Sequence, residues 1–238
     1  HKNFVKQLTK EGEPARYWYE QSAQAILDIT NGDKDQAKKL LSIIAITSPR
    51  MDVKTNFGQM IKGYYKAMVG DKPLAGMYPK KMAERIQKVM DGEEFGGLKT
   101  DKFYKNLAAV IDGGTPDVTV DMWMMRAFGI DKDNPTDLEY RRVETLVQDI
   151  ATDLGWEPYQ AQAAIWTATK ARWESIYNPL LRKAKAAGLY KVVNKEGQWK
   201  SEAAYKNFRK RVYKSMKELE FDEGKIQKAG FNYADAID

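Results

Sequence analysis

Apolar residues along this chain recur with the period of a helix far more often than with that of a strand. Trp18, Ala25, Ile26 and Ile29 share one face of a segment from about residue 15 to 30, which predicts an amphipathic helix. Asp33 is placed to cap a second helix, residues 35–47, whose apolar side is Leu40, Leu41, Ile43, Ile44 and Ile46. Pro49 ends it, because proline lacks the next N–H donor and disfavours helical geometry in the residue before it. Further helices are predicted over 53–68 and over 79–90, the latter with Pro79 in its first turn. Glycines at 92, 96 and 97 interrupt the pattern before a helix from about 100 to 111.

Gly113, Gly114 and Pro116 then turn the chain into Val118-Thr119-Val120, with a short helix predicted over 122–128. Thr136 and Glu139 have the spacing of a capping box ahead of Val143, Leu146, Val147, Ile150 and Leu154. Gly155 stops that helix and Pro158 opens the next, through Ala164, Ile165 and Trp166. The segment LYKVVNKEGQWK reads as a small β-hairpin turning at Glu196-Gly197. Residues 201–219 form a basic amphipathic helix bearing Tyr205, Phe208, Val212 and Met216. There is no internal repeat, and the expected fold class is all-α.

Composition narrows the chemistry. The chain has 238 residues, 43% hydrophobic and 30% charged, enough for one large domain or two small lobes. No apolar run approaches the roughly 18 residues of a membrane span, and HKNFVKQLTK contains no secretory h-region. Cysteine is absent and the one histidine is His1. Disulfides, thiolate nucleophiles, iron–sulfur clusters, His/Cys zinc sites and His-dependent triads are therefore not expected. Neither a metal nor a cofactor is expected, and the absence of cysteine fits an intracellular setting.

The net charge of +6 is unevenly spread. Between Leu181 and Lys217 twelve basic residues face two acidic ones, a net of +10, which leaves −4 for the rest of the chain. Such a segment, with Arg209, Lys210 and Arg211 at its densest point, suits a polyanion, nucleic acid ahead of an anionic membrane. A solvated lysine-rich surface is the plainer alternative.

Two stretches combine residues that could carry chemistry. In GEEFGGLKTDKFYKNL, Gly96 and Gly97 precede Lys99, Thr100 and Lys102 at a helix start. Glycines expose successive N–H groups and the helix adds its positive end, so the stretch is either an anion site or simply a turn. In GTPDVTVDMWMMRAFG, Asp121 is the only acid between Val118 and Ile130. Its plainest role is an N-cap for the following helix, a role that also fixes a carboxylate rigidly.

The two stretches together resemble the helix-hairpin-helix DNA glycosylase superfamily. Val118-Thr119-Val120-Asp121-Met122-Trp123-Met124-Met125-Arg126 is similar to the family's stretch around its catalytic aspartate. LLSIIAITSPRMDVKTNFGQM resembles an earlier helix, turn and helix, and the likeness runs in order from about residue 34 to 173. The chain departs from the family at Trp123, where a histidine is usual, and in a hairpin reduced to Gly96-Gly97-Leu98-Lys99.

The resemblance implies two helical lobes, residues 22–117 and residues 1–21 plus 118–180, with 181–238 as a basic extension. It implies a DNA glycosylase acting on a damaged or modified base flipped out of duplex DNA, a process that needs aromatic or apolar walls. Asp121 would stabilise the positive charge developing on the sugar and activate water. Lys102, nineteen positions earlier, is a candidate Schiff-base nucleophile. Trp18, Tyr19, Trp123 and Trp166 are candidate walls for the base. Gly96, Gly97, Lys99, Thr100, Arg50, Arg209, Lys210 and Arg211 are candidate DNA contacts, and Arg50 could instead enter the duplex. The expected partner is DNA, with no membrane and a monomeric enzyme. A non-catalytic DNA-binding module of the same fold, or an enzyme hypermodifying bases of viral DNA, are the alternatives.

Overall fold

Every helix of the sequence pattern is present, and the all-α class stands. The computed structural model describes residues 2–130, 132, 134–193 and 196–237; His1 and the residues between the two hairpin strands lie outside them. The described helices are α1 (Lys2–Glu11), α2 (Trp18–Ile29), α3 (Lys34–Thr47), α4 (Val53–Met68), α5 (Pro79–Met90), α6 (Leu98–Asp112) and α7 (Met122–Ala127). They continue as α8 (Asp137–Leu154), α9 (Pro158–Ala186), α10 (Glu202–Glu218), α11 (Glu223–Ala229) and α12 (Tyr233–Ile237), with a 3₁₀ turn at Glu13–Ala15. Among the described residues, no helix is long and apolar enough to cross a membrane.

Local chemistry accounts for the boundaries. Asp33, Asp52, Ser201 and Asp222 each cap a helix through a side-chain oxygen. The Thr136–Glu139 capping box is complete. Gly155 follows α8 in the left-handed conformation that an L side chain disfavours. The hairpin differs from expectation. Strands β1 (Tyr190–Val193) and β2 (Glu196–Trp199) pair antiparallel with Val193 opposite Glu196. Glu196 and Gly197 therefore belong to the second strand and not to the turn. Cross-strand Tyr190 and Trp199 meet edge to face at 5.4 Å, a pairing that sets this register.

Three apolar clusters organise the helices. The first joins α2, α3, α4, α5 and α6 around Leu41, Ile43, Ile44, Met60, Ile86 and Leu107. Trp18 and Tyr19 also pack there, although the sequence boundary groups residues 1–21 with the other lobe. The second joins α1, α7, α8, α9 and α11 around Leu8, Val118, Val120, Met124, Met125, Val147 and Ile165. The third lays α10 on the far half of α9 through Trp173, Phe208, Val212 and Met216.

The segment after residue 181 folds back over the first two clusters. Helices α10 and α11 pack on α9, while α12 packs on α2 and α4. Tyr233 is only 2% exposed, inside the first cluster, and Asn56 Nδ2 donates to its hydroxyl at 2.5 Å. A buried ion pair anchors the other side. Arg172 Nε donates to Glu11 Oε2 at 2.6 Å, and its Nη1 donates to the Met216 carbonyl at 2.7 Å and the Leu219 carbonyl at 2.5 Å. One guanidinium thus ties α1, α9 and the end of α10 together.

Candidate functional site

Val118-Thr119-Val120 is extended and buried, yet it belongs to no sheet. Buried backbone polar groups need partners, and here side chains from three helices supply them. Asn106 of α6 accepts from the Asp117 N–H at 2.7 Å, and Gln162 of α9 accepts from the Thr119 N–H at 2.8 Å. Tyr140 of α8 uses one hydroxyl twice, accepting from the Val120 N–H at 3.1 Å and donating to the Val118 carbonyl at 3.0 Å. The other end of the Gln162 amide donates to the Tyr19 hydroxyl at 2.9 Å, which links this grip to the first cluster. Burial pushes the Tyr19 phenol up to about 12, so it stays neutral through the ordinary range.

Held this way, the segment delivers Asp121 to the start of α7. Asp121 Oδ1 accepts from the Trp123 N–H at 2.8 Å and the Met124 N–H at 3.0 Å, the N-cap geometry expected of this residue. Its second oxygen accepts from Trp166 Nε1 at 3.0 Å. Trp166 is a neighbour of Trp18, ring centroids 6.1 Å apart, and Trp18 meets Tyr19 edge to face at 5.2 Å. Phe103 of α6 completes the cluster at 6.2 Å from Trp18 and 6.0 Å from Tyr19. Three of the four predicted base-pocket aromatics therefore gather beside Asp121, where the first and second clusters meet. Trp18 and Tyr19 are buried; Trp166 and Asp121 are partly exposed.

Lys102 has other partners. Its ammonium donates to Asp117 Oδ1 at 3.0 Å and to Glu144 Oε1, and lies 5.2 Å from the Tyr140 ring centre. Burial works against its charge, but the hydrogen bonds to Glu144 and Asp117 outweigh burial and raise its pKa above the lysine norm. Burial also raises the Glu144 carboxyl. It opposes ionisation of Asp117 too, yet the bonds from Glu144, the Val118 N–H and Lys102 hold Asp117 low. The lysine is a fastened cation, the opposite of the neutral amine that attacks a carbon.

The glycine hinge is shaped by Arg85, whose Nε donates to the Phe95 carbonyl at 3.0 Å and whose Nη2 donates to the Gly96 carbonyl. Gly97 has φ 99°, and a Cβ there would lie 3.1 Å from Arg85 Nη2, so this position requires glycine. No side chain caps α6 at Gly97; Lys99 is exposed and Thr100 partly so. Arg50 is exposed with φ 60°, an uncommon conformation for a residue other than glycine. Among the described residues no group of three or more acidic or histidine side chains could hold a metal ion.

The C-terminal end of α7 opens onto a cavity of about 260 Å³. Its lining includes Trp123, Arg126, Trp173, Tyr177, Tyr205 and Arg209. Trp123 and Arg209, predicted for different roles, meet here. Arg209 is 5% exposed, whereas its neighbours Lys210 and Arg211 are exposed on the outer face of α10. Sequence reasoning missed Arg126, Trp173, Tyr177 and Tyr205. Their helical spacings were the available signal, with Trp166, Trp173 and Tyr177 seven and four apart on α9 and Tyr205 and Arg209 four apart on α10.

A family model described as a family of unknown function matches residues 5–173. That span takes in α2 to α8, the 117–121 grip and Trp173, and leaves α10, α11 and α12 outside. No curated protein and no solved structure matches the chain.

Proposed function

The chain belongs to DUF7178, a family of unknown function, and we propose that it acts on the N-glycosidic bond of a base in DNA. In this reading Asp121 is the working carboxylate and water the nucleophile. The observation that carries it is the Asp121 carboxylate itself, partly exposed where the lobes meet and fixed by two backbone N–H groups and one indole N–H. As the bond from C1′ to the base breaks, the electron pair leaves with the base and positive charge develops on the sugar. A fixed carboxylate stabilises that charge. Water then adds to C1′, and its proton passes through the carboxylate to the departing base. Lys102 serves as a positioning residue, clamping Asp117 and Glu144 beside the 118–120 segment, and no Schiff base forms.

The exposed Lys210 and Arg211 and the partly uncapped start of α6 support a DNA partner. Binding through such groups falls steeply with salt as counterions are released and recaptured. The test is a panel of oligonucleotides carrying damaged or modified bases. Abasic-site formation is expected from the native chain and not from Asp121→Asn, and borohydride should trap no protein–DNA adduct. Base release that persists in Asp121→Asn overturns the assignment.

A second reading is a DNA-binding module without catalysis. It is favoured by two features: both Asp121 oxygens already accept hydrogen bonds, and Trp18 and Tyr19 are packed with rings on their flanks. It predicts duplex binding that survives Asp121→Asn with no base released from any substrate.

A further inference from the structure

Helix α4 turns one side to the core and leaves the other bare. Asn56, Met60 and Gly63 are buried on the inner side. Ile61, Tyr65, Met68 and Val69 follow at the i, i+4, i+7, i+8 spacing that lines one side of a helix. Tyr65 and Met68, 65% and 61% exposed, are the most exposed large hydrophobic side chains among the described residues. None of the four joins the three apolar clusters. From Val53 to Lys81 the chain carries Lys54, Lys62, Lys66, Lys72, Lys80 and Lys81 against Asp71 alone, a net of +5. Among the described residues none of these lysines is held in an ion pair. An apolar stripe bordered by such cations fits a surface that is apolar and acidic together.

The chain itself carries one. Across the connection from α10 to α11 runs Glu218-Leu219-Glu220-Phe221-Asp222-Glu223, four acids and no base. Phe221 is 51% exposed, and Glu218, Glu220 and Glu223 stand in solvent beside it. Asp222 caps α11 and pairs with Lys225 at 3.2 Å. The Leu219 carbonyl accepts from Arg172 at 2.5 Å. The segment is thus held in shape before any partner arrives, which lowers the entropy cost of docking. The two surfaces stand on different elements, α4 against α3, α5 and α12, the connection against α9.

We propose that α4 of one copy of this chain receives the 218–223 segment of a second copy, Phe221 against Tyr65 and Met68 and the acids among Lys54, Lys62 and Lys66. An aromatic anchor and opposite charges act together in such a contact. Two α4 faces laid on each other would set lysine against lysine, so the contact is head to tail. Each copy then keeps one face or one segment unused, and further copies add to a ring or a filament. The contact stands apart from Asp121 and does not rest on the base-excision reading.

The experiment is sedimentation equilibrium of the full chain from about 1 μM to about 1 mM, the span suited to a contact at the small end of specific interfaces. Mass should rise with concentration and fall with added salt, which screens the opposed charges. Tyr65→Ser and Phe221→Ser should each weaken self-association about ten-fold or more, whereas Asp121→Asn should leave it unchanged. Mixing the two weakened variants is the decisive arm. The intact face of Phe221→Ser meets the intact segment of Tyr65→Ser, so the mixture should form a one-to-one dimer that grows no further. If Tyr65→Ser fails to fold, the exposed Lys62→Glu takes its place in the mixture. The proposal is overturned if the native chain stays monomeric throughout, if Phe221→Ser associates like the native chain, or if the mixture stays monomeric. It is equally overturned if a monomeric native chain binds phosphatidylserine–phosphatidylcholine vesicles or duplex DNA and Tyr65→Ser does not, because α4 then serves another occupant.

Discussion

The two ends of the six-residue helix α7 meet the rest of the molecule in opposite ways. At the start a carboxylate is enclosed by donors and by rings that touch one another. At the finish a guanidinium lies between rings that border open space. The helix is the same; what differs is the element laid against it. The start faces α2, α6 and α9, whose Trp18, Tyr19, Phe103 and Trp166 fill the junction. The finish faces the far half of α9 and α10, where Arg126 lies against the rings of Trp123 and Trp173 and Arg209 against those of Trp173 and Tyr205. A motif in sequence therefore marks where a reactive group stands, while the space for a ligand is decided by helices that arrive much later in the chain.

Substitutions at the two ends should separate these roles, and the largest effect is expected at Arg172, which anchors the cavity side. Arg172→Leu leaves Glu11 as a buried unpaired charge and two carbonyls without a donor. It should cost about 3–5 kcal/mol in denaturant unfolding. A loss under about 1 kcal/mol would mean that α10 is held by apolar contact alone.

On the carboxylate side, Gln162→Leu removes the acceptor for the Thr119 N–H and the donor to Tyr19. A loss of about 1–3 kcal/mol is expected, with faster hydrogen exchange at Thr119. Unchanged exchange there would show that the extended segment is held by packing rather than by its side-chain partners.

A smaller effect separates cap from catalyst. Asp121→Ala should lose about 0.5–2 kcal/mol, whereas Asp121→Asn, which keeps a capping oxygen, should lose less; both should abolish base release under the proposed function. Equal stability in the two variants would remove the cap from the account of this residue.

The last effect shows only at alkaline pH. Tyr19 has its folded pKa raised from 10.0 to about 12 by burial. Folding therefore favours its protonated form. That stability is fully present below pH 10 and is lost as pH rises towards about 12. Tyrosinate absorbance should appear together with loss of helical circular dichroism on the carboxylate side of the comparison. Ionisation of the buried phenols with the fold intact would contradict the closed packing described for that end.

Local rules made much of this legible. Asp33, Asp121 and the Thr136–Glu139 box act within a turn of themselves, so their capping roles follow from neighbouring residues alone. The long helices followed from apolar period. Helices α1, α11 and α12 did not, because they are short, heavily polar and stabilised by partners far away in the chain. The same limit applies to Lys102. Its spacing from Asp121 suggested a nucleophile, while the two carboxylates that hold it come from positions 15 and 42 residues later. Asn106, Gln162 and Tyr140 were equally silent, since a polar side chain gripping another segment's backbone has no periodic signature.

Tyr233 carries a consequence for how the chain is made. The first cluster draws mainly on α2 to α6, but its apolar centre is finished by a side chain that emerges from the ribosome about 120 residues after Asp112, roughly 6–24 s later at about 5–20 residues per second. Until then Asn56 lacks its hydroxyl partner and the lobe is an unsealed vessel. Vectorial synthesis thus leaves the two halves of this protein to mature together, and a truncation that removes α12 should be felt first in the cluster built by α2 to α6.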